Sequence, residues 1–318
     1  MNPAPIRTRV AVVGGGQNCE HEVSLASAAS VAAALDPAAY DVVRLTIGRD
    51  GTWCDQDDRP LPLGEAVTLL QGCDVVLPVV HGPRGEDGSL AALCELAGVP
   101  YVGSGVGAGA LAMDKWATKL VAEAIGIPTA PGVLLTAGTA ATYDWTRPVV
   151  VKPVAAGSSH GVSLVADPGM LEEALRTALA LDDRILVEDV VVGREIDVAV
   201  LGTADGSRVV SPALEIVVDG WFDHDAKYGG GAEFRVPAAL PDPERTALEE
   251  AALAVYDALG CRGVARVDFF VTDAGLVLNE VNTMPGFTEQ SQVPKMFAAA
   301  GMSYGALLDR LVRDVLPA

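Results

Sequence analysis

Positive charge is scarce in this 318-residue chain: 22 Lys and Arg stand against 42 Asp and Glu, for a net charge of −20. Phosphate-backbone contacts need a basic surface, so this balance excludes a non-specific nucleic-acid binder. It leaves room for a few lysines to build a local pocket for a nucleotide. Cysteine is scarce too. Cys19, Cys54, Cys73, Cys94 and Cys261 are scattered without a CxxC pair, which argues against a zinc site or a disulfide framework and for a reducing cytoplasm. No apolar run approaches the length of a membrane span, and the N-terminus MNPAPIRTRV lacks the build of a secretory signal. A cytoplasmic protein without a membrane partner is expected. Internal repeats and low-complexity linkers are missing as well. What is present is a chain that is 50% hydrophobic, long enough for two or three domains around a sizeable core.

Residues 9–13 form a β-branched run that ends in Gly14-Gly15-Gly16, and an Ala-rich helix follows through Leu35. This is a Rossmann-like opening. The GxGxxG fingerprint fits Gly14 and Gly16 but puts Cys19 at its third glycine, which counts against a nicotinamide cofactor. A strand over 40–47, a hairpin-like turn at 50–53, an apolar strand over 74–80 expected at the centre of a parallel sheet, and a short strand over 100–102 complete an α/β unit. The apolar strand ends in His81-Gly82-Pro83-Arg84-Gly85-Glu86-Asp87-Gly88, at the kind of strand end where open α/β sheets collect ligands. A helix around Met113–Trp116 opens a second unit. Its strand over 148–152 feeds a loop of small and hydroxyl residues, 153–161, whose N–H groups and serines suit phosphate, although a flexible hairpin is the other reading. It is not a Walker A loop, because Lys152 precedes the glycines. A helix over 171–180 and strands over 184–192 and 196–201 follow. The third unit holds strands over 209–218, a polar Gly-rich excursion over 221–231 of the kind that forms lids, a helix over 242–259 and a final amphipathic helix from Ser303.

Late in the chain, two runs rich in Val, Leu and Phe flank Asp273-Ala274-Gly275, which reads as a β-hairpin closed by a three-residue loop. That register sets Asp268 opposite Glu280 and Arg266 opposite Asn282, all on one face. Two carboxylates directly opposed destabilise a bare sheet. A hard divalent cation reverses the sign, and carboxylate and amide oxygens are what magnesium accepts. The alternative is the solvated polar face of an ordinary hairpin.

Taken together, these segments resemble the D-alanine–D-alanine ligases of the ATP-grasp superfamily, nearly end to end. The resemblance is carried by Glu20-His21-Glu22-Val23-Ser24-Leu25, the run from His81 to Gly88, Met113-Asp114-Lys115, Lys152-Pro153 with Gly157-Ser158-Ser159, Lys227-Tyr228, Arg266-Val267-Asp268, and Asn279-Glu280-Val281-Asn282-Thr283-Met284-Pro285-Gly286. It implies an α/β, three-domain ATP-grasp fold: a Rossmann-like N-terminal domain over 1–104, a central subdomain over 105–192 and a C-terminal domain over 193–318, with ATP held between the last two sheets. The implied reaction joins two D-alanines through an acyl phosphate, for peptidoglycan precursor synthesis. The implied cofactors are ATP and two magnesium or manganese ions, the metal held by Asp268, Glu280 and Asn282. Arg266 and the Gly286 backbone N–H would stabilise the oxyanion. Lys115 and Lys152 match the family's phosphate lysines, Lys227 its γ-phosphate lysine, and Ser159 sits in the phosphate loop. Glu188 would read the adenine amino group beside the backbone of Val190 and Val191, and Glu195 would hold the ribose. Glu20 would anchor the first substrate's ammonium, with His81 near its carboxylate. Glu20, Ser158 and Tyr228 would tie the domains shut, and Ser291 would contact the second substrate. The resemblance also implies a homodimer.

Departures from the family pattern are His160, Ala155 and Ala156 around the phosphate loop, Gly229-Gly230-Gly231 after Lys227-Tyr228, and Gln292 beside Ser291. An apolar residue often packs on the second substrate where Gln292 stands. Gln292 therefore keeps open a specialised ligase joining other small amino acids in secondary metabolism. The Lys227-Tyr228 pair favours dipeptide formation over D-alanyl-D-lactate. A non-catalytic ATP-binding homologue has no need for Arg266, Asp268, Glu280 and Asn282 together.

Overall fold

In the computed structural model, which describes residues 7–217 and 233–316, the strands sort into three sheets. The first is built on β1 (Thr8–Gly15), buried from Val10 onward and flanked in parallel by β2 (Tyr40–Ile47) and β5 (Val75–Pro78). Behind β1, the helix α1 (His21–Ala34) packs on the sheet. β3 (Trp53–Cys54) folds back antiparallel on β2, and β4 (Pro60–Leu61) extends the edge. The apolar run expected at the centre ends the strand order β4-β3-β2-β1-β5. β5 pairs with β1 on one side and, among the described residues, meets an isolated bridge, Val76 to Tyr101, on the other. Its apolar character comes from cover on both faces: Val76 and Val80 pack with Leu70, Leu90 and Cys94, while Val75, Leu77 and Val79 join the core shared with Val31.

The second sheet is antiparallel throughout: β6 (Gly132–Thr136), β7 (Val149–Pro153), β8 (Ser163–Val165) and β9 (Arg184–Asp189), in the order β6-β9-β7-β8. The helix Leu171–Leu179 covers one face with Ala174, Leu175 and Ala178. The third sheet centres on β10 (Arg194–Gly202) and β14 (Val264–Thr272), with β11 (Arg208–Val210), β12 (Leu214–Val217), β13 (Glu233–Arg235) and β15 (Gly275–Asn282) around them. The helix Asp242–Ala258, opened by proline in its first turn, lays Leu248, Ala252, Val255 and Tyr256 on this sheet.

The helix expected around Met113–Trp116 is a junction between two helices, Val106–Met113 and Lys115–Ala124. Asp114 ends the first and caps the second, accepting the Ala117 N–H at 2.8 Å. Ala108, Ala112 and Ala122 of these helices join the core of the third sheet. The last two helices, Gln292–Ala299 and Tyr304–Arg313, return to the first unit, where Phe297, Leu307 and Leu308 share a core with Val31, Leu35 and Tyr40.

The β14–β15 hairpin closes more tightly than expected. Thr272 pairs with Gly275, so the turn holds two residues, Asp273 and Ala274, and Gly275 takes φ of 118°. The register then shifts between Phe269, opposite Leu278, and Asp268, opposite Glu280, which leaves Asn279 as one extra residue in β15. The bulge restores the expected pairs, Asp268 with Glu280 and Arg266 with Asn282. Among the described residues, no helix is long and apolar enough to cross a membrane.

Candidate active site

A cavity of about 530 Å³ opens between the second and third sheets. It collects most of the side chains singled out from the sequence: Lys115, Lys152, Ser159, Glu188, Val190, Val191, Glu195, Arg266, Asp268, Glu280 and Gln292 all line it. Val190 and Val191 sit in the connection between β9 and β10, which crosses from one sheet to the other. Lys227 and Tyr228 lie outside the described residues.

At one side of the cavity, buried Glu188 has both oxygens occupied, by Lys119 Nζ at 2.7 Å and Lys152 Nζ at 2.6 Å. Burial alone raises a carboxyl pKa, but here Lys152 and Lys119 outweigh it and hold Glu188 below its ordinary value. Lys119 also donates to the Ala130 carbonyl. The side chain expected at an adenine amino group is therefore committed to two ammonium groups. Lys119 escaped the sequence reading, although it lies four residues after Lys115 on the same helix, the spacing that puts two side chains on one face. Lys115 donates to the Ala156 carbonyl at 2.8 Å and pairs with Glu280 Oε2 at 3.2 Å, so it spans from the small-residue loop to the hairpin.

In that loop, Ser158 and Ser159 take φ of 51° and 57°, a left-handed conformation that costs side-chain-bearing residues energy and is concentrated at functional sites. Ser158 Oγ donates to Glu20 Oε1. Glu20 Oε2 is buried and has no hydrogen-bond partner among the described residues. Gly157 lies directly against it, and a Cβ there would stand 2.0 Å from Glu20 Oε2.

Opposite the lysines lies the hairpin face. Arg266 is buried and grips Asp268 through Nε and Nη2, at 2.7 and 2.6 Å. Burial lowers an arginine's pKa, but Asp268, Asp197 and Glu280 outweigh it and keep this guanidinium well above its usual value. Asn282 Nδ2 donates to Asp268 Oδ2 at 3.1 Å. Two opposed carboxylates with an amide beside them form a hard-oxygen set, which fits magnesium and its habit of completing its shell with water and phosphate. Among the described residues, no group of three or more His, Cys, Asp or Glu gathers to hold a metal by itself. Gln292, which looked like a reader of the second substrate, is hydrogen-bonded at both ends of its amide, to Arg266 and to buried Asp197.

The loop after the hairpin carries Gly286 and is held from the first unit. His81 Nδ1 is 2.8 Å from the Met284 carbonyl and its Nε2 is 2.9 Å from Ser27 Oγ. A carbonyl only accepts, so Nδ1 bears the proton and Nε2 accepts from Ser27. Ser27 Oγ in turn accepts the Phe287 N–H at 3.2 Å. Burial pushes the His81 pKa below its ordinary 6.5, which suits the neutral ring. Both ring nitrogens thus serve the loop. Glu86 accepts the Gly82 N–H at 2.7 Å and the Met284 N–H at 3.0 Å, and burial, reinforced by Glu20, pushes its pKa up to about 7. Ser291 Oγ accepts the Thr288 N–H at 3.0 Å and lies 3.3 Å from where a Cβ on Gly286 would be. Ser27, Glu86, Lys119 and Asp197 were given no role from the sequence. Each makes at least one contact with a distant segment.

Known proteins resemble this chain along nearly its whole length. The family model for the D-ala D-ala ligase N-terminus matches residues 9–69 and 60–104, and that for the D-ala D-ala ligase C-terminus matches residues 122–313. The D-alanine--D-alanine ligase of Rhodococcus jostii (strain RHA1) is 41% identical, with 98% of this chain and 97% of that protein aligned. The D-alanine--D-alanine ligase of Mycolicibacterium smegmatis is 42% identical, over 98% of this chain and 96% of that protein. Among solved structures, the VanG D-Ala:D-Ser ligase from Enterococcus faecalis superposes with a TM-score of 0.85 at 32% identity, covering 98% of this chain and 100% of that one. The D-alanine--D-alanine ligase from Bacillus anthracis complexed with ATP gives 0.79 at 28% identity, over 97% of each chain.

Proposed function

Because the chain belongs to the D-alanine–D-alanine ligase family, we propose that it spends one ATP to join two D-alanines into D-alanyl-D-alanine, a peptidoglycan precursor. The observation that carries this reading is the inter-sheet cavity, with lysines on one wall and the Arg266–Asp268–Glu280 face on the other. In the first step, a carboxylate oxygen of one D-alanine attacks the terminal phosphorus of ATP and ADP leaves. In the second, the amine of the other D-alanine attacks the acyl carbon, loses a proton and expels phosphate.

Lys115 and Lys152 offset phosphate charge, Lys152 being aimed by its pairing with Glu188. Ser159 faces the phosphates, Val190 and Val191 offer backbone groups to the base beside Glu188, and Glu195 takes the ribose. Asp268, Glu280 and Asn282 would hold divalent metal, which when bound neutralises and polarises the phosphoryl oxygens; a pair of ions is the count we favour. Glu20 presents its unpartnered Oε2 to the first ammonium, and Ser158 fixes its other oxygen. Arg266 and the Gly286 N–H stabilise oxyanion charge as it develops, and Ser291 beside Gly286 receives the second carboxylate. Lys227 and Tyr228 complete the set from the excursion, as γ-phosphate lysine and as third member of the closing trio. We assign His81 to holding the Gly286 loop near the first substrate. A division at 1–104, 105–192 and 193–318, a homodimer and a cytoplasmic setting complete the proposal.

The test is ADP and phosphate release with MgATP and D-alanine, run beside L-alanine, D-serine and D-lactate, with products identified by mass. D-alanyl-D-alanine formed from D-alanine alone is the expected result. Faster turnover with another pair would replace this reading with that of a specialised ligase.

A further inference from the structure

Arg266 is held from two directions. Asp268, two residues along the same strand, takes Nε and Nη2. From elsewhere in the fold, Gln292 Oε1 accepts from Nη1 at 2.6 Å, and the same amide donates through Nε2 to Asp197 Oδ2 at 2.8 Å. Asp197 is fully buried on β10, directly opposite Asp268 on β14, and its Oδ2 lies 3.5 Å from Arg266 Nε. Gln292 is launched from the first turn of the helix Gln292–Ala299.

The chemistry between these groups is restrictive. An ionised carboxylate only accepts and a guanidinium only donates. A side chain bridging them must offer a donor to one and an acceptor to the other, which an amide does. An apolar residue at 292 would leave a buried acceptor on Asp197 and a buried N–H on Arg266 unpaired by it, at a cost of desolvation for each. A carboxylate there would face Asp197, and a lysine would face Arg266. The acid at 197 and the amide at 292 are thus matched in donor and acceptor.

We infer that Asp197 and Gln292 are a positioning pair that fixes the Arg266 guanidinium independently of Asp268. The inference rests on the ligase reading, in which Asp268 has a second claim on its oxygens as a metal ligand. A guanidinium anchored by Asp268 alone would follow that carboxylate whenever its lone pairs were shared. The second anchor, from another strand and a helix, holds the guanidinium plane where oxyanion charge develops. Gln292 accordingly acts through Arg266 and does not read the second substrate. The residue departing from the family pattern is explained by its partner at 197.

The experiment compares Gln292→Glu, Asp197→Asn, the two combined, and Gln292→Met, all in the full chain. Each is assayed for kcat, for KM of the second D-alanine, and for Tm in chelator without substrate. Gln292→Glu opposes two carboxylates; kcat should fall about 100-fold, as misplacement of a catalytic group does, and Tm should drop. Adding Asp197→Asn reverses the polarity of the bridge, since the new amide donates to the new carboxylate, whose other oxygen accepts from Arg266. The combined variant should recover to within about fivefold of wild-type kcat, with KM within about threefold throughout. Gln292→Met should lower kcat at near-constant KM. A combined variant no better than Gln292→Glu in either kcat or Tm would overturn the inference. So would Gln292→Met raising KM about tenfold at unchanged kcat, the signature of direct substrate contact. The Tm comparison is read without substrate, so it stands even if D-alanine proves to be the wrong substrate, a failure the wild-type assay exposes separately.

Discussion

Gly157 marks a place where no side chain fits. Its missing Cβ would lie 2.0 Å from Glu20 Oε2, so Gly157→Ala must push the loop away from the carboxylate it packs on. We expect kcat to fall by about 100-fold with a lower Tm, measured beside Gly64→Ala. Gly64 lies in the helix Leu63–Gln71 with open space around its Cβ position, and alanine there should stabilise by roughly 0.5–1 kcal/mol. Two other residues act through pH, in opposite directions. His81 has its pKa pushed below 6.5 by burial, so the unfolded chain binds that proton more readily, and stability falls as pH drops below 6.5. Glu86 rises from 4.5 to about 7, so the folded chain holds the proton between those values; the stability it contributes is complete below 4.5 and is lost as pH rises through 7. Tm recorded from pH 8 to pH 5 for wild type and His81→Gln isolates the first effect, because Glu86 is common to both. The variant should lose less stability on the acid side.

At the scale of single elements, Lys115 and Lys119 share one helix face but have different tasks. Lys119 and Glu188 are both buried, and removing one partner of such a pair costs about 3–5 kcal/mol. Lys119→Met should therefore lower Tm sharply. Lys115→Ala should instead raise the KM for ATP about tenfold with a smaller change in Tm, since it removes phosphate contact more than core pairing. What the sequence allowed to be read follows the same divide. Arg266 with Asp268, and Glu280 with Asn282, were legible as two same-face pairs from the period of two; the pairs meet on one face because the shorter turn and the bulge cancel. The turn itself was misplaced by one residue, and the Asn279 bulge that compensates leaves no mark in the alternation. The apolar run at β5 reports cover by helices as much as sheet neighbours, so it misled about position in the sheet. Asp114 was readable in principle as a cap, being an acid directly before a helical pattern. Asp197 was not: one acid inside a run of buried strand residues reveals nothing of the amide 95 residues away that satisfies it.

For the whole molecule, the excess of acid sets the expectation. A net charge of −20 repels itself in the compact state, so Tm should rise as added salt shortens the screening length from about 10 Å at 0.1 M toward about 3 Å at 1 M. A flat response would mean that the ion pairs lost to screening balance the repulsion removed. MgATP should raise Tm further, by an amount equivalent to about 2.7 kcal/mol at a hundredfold excess over Kd. The larger consequence lies in the loop after the hairpin. It is carried by the third sheet, yet its backbone is tied to the first unit: the Met284 carbonyl accepts from His81, and the N–H groups of Met284, Phe287 and Glu289 donate to Glu86, Ser27 and Ser30. The two ends of the gene are therefore not interchangeable cassettes. A recombinant that inherits its beginning from one lineage and its end from another can fold both parts and still misplace Gly286, so crossovers within this family should survive only when the residues on either side of that seam descend together.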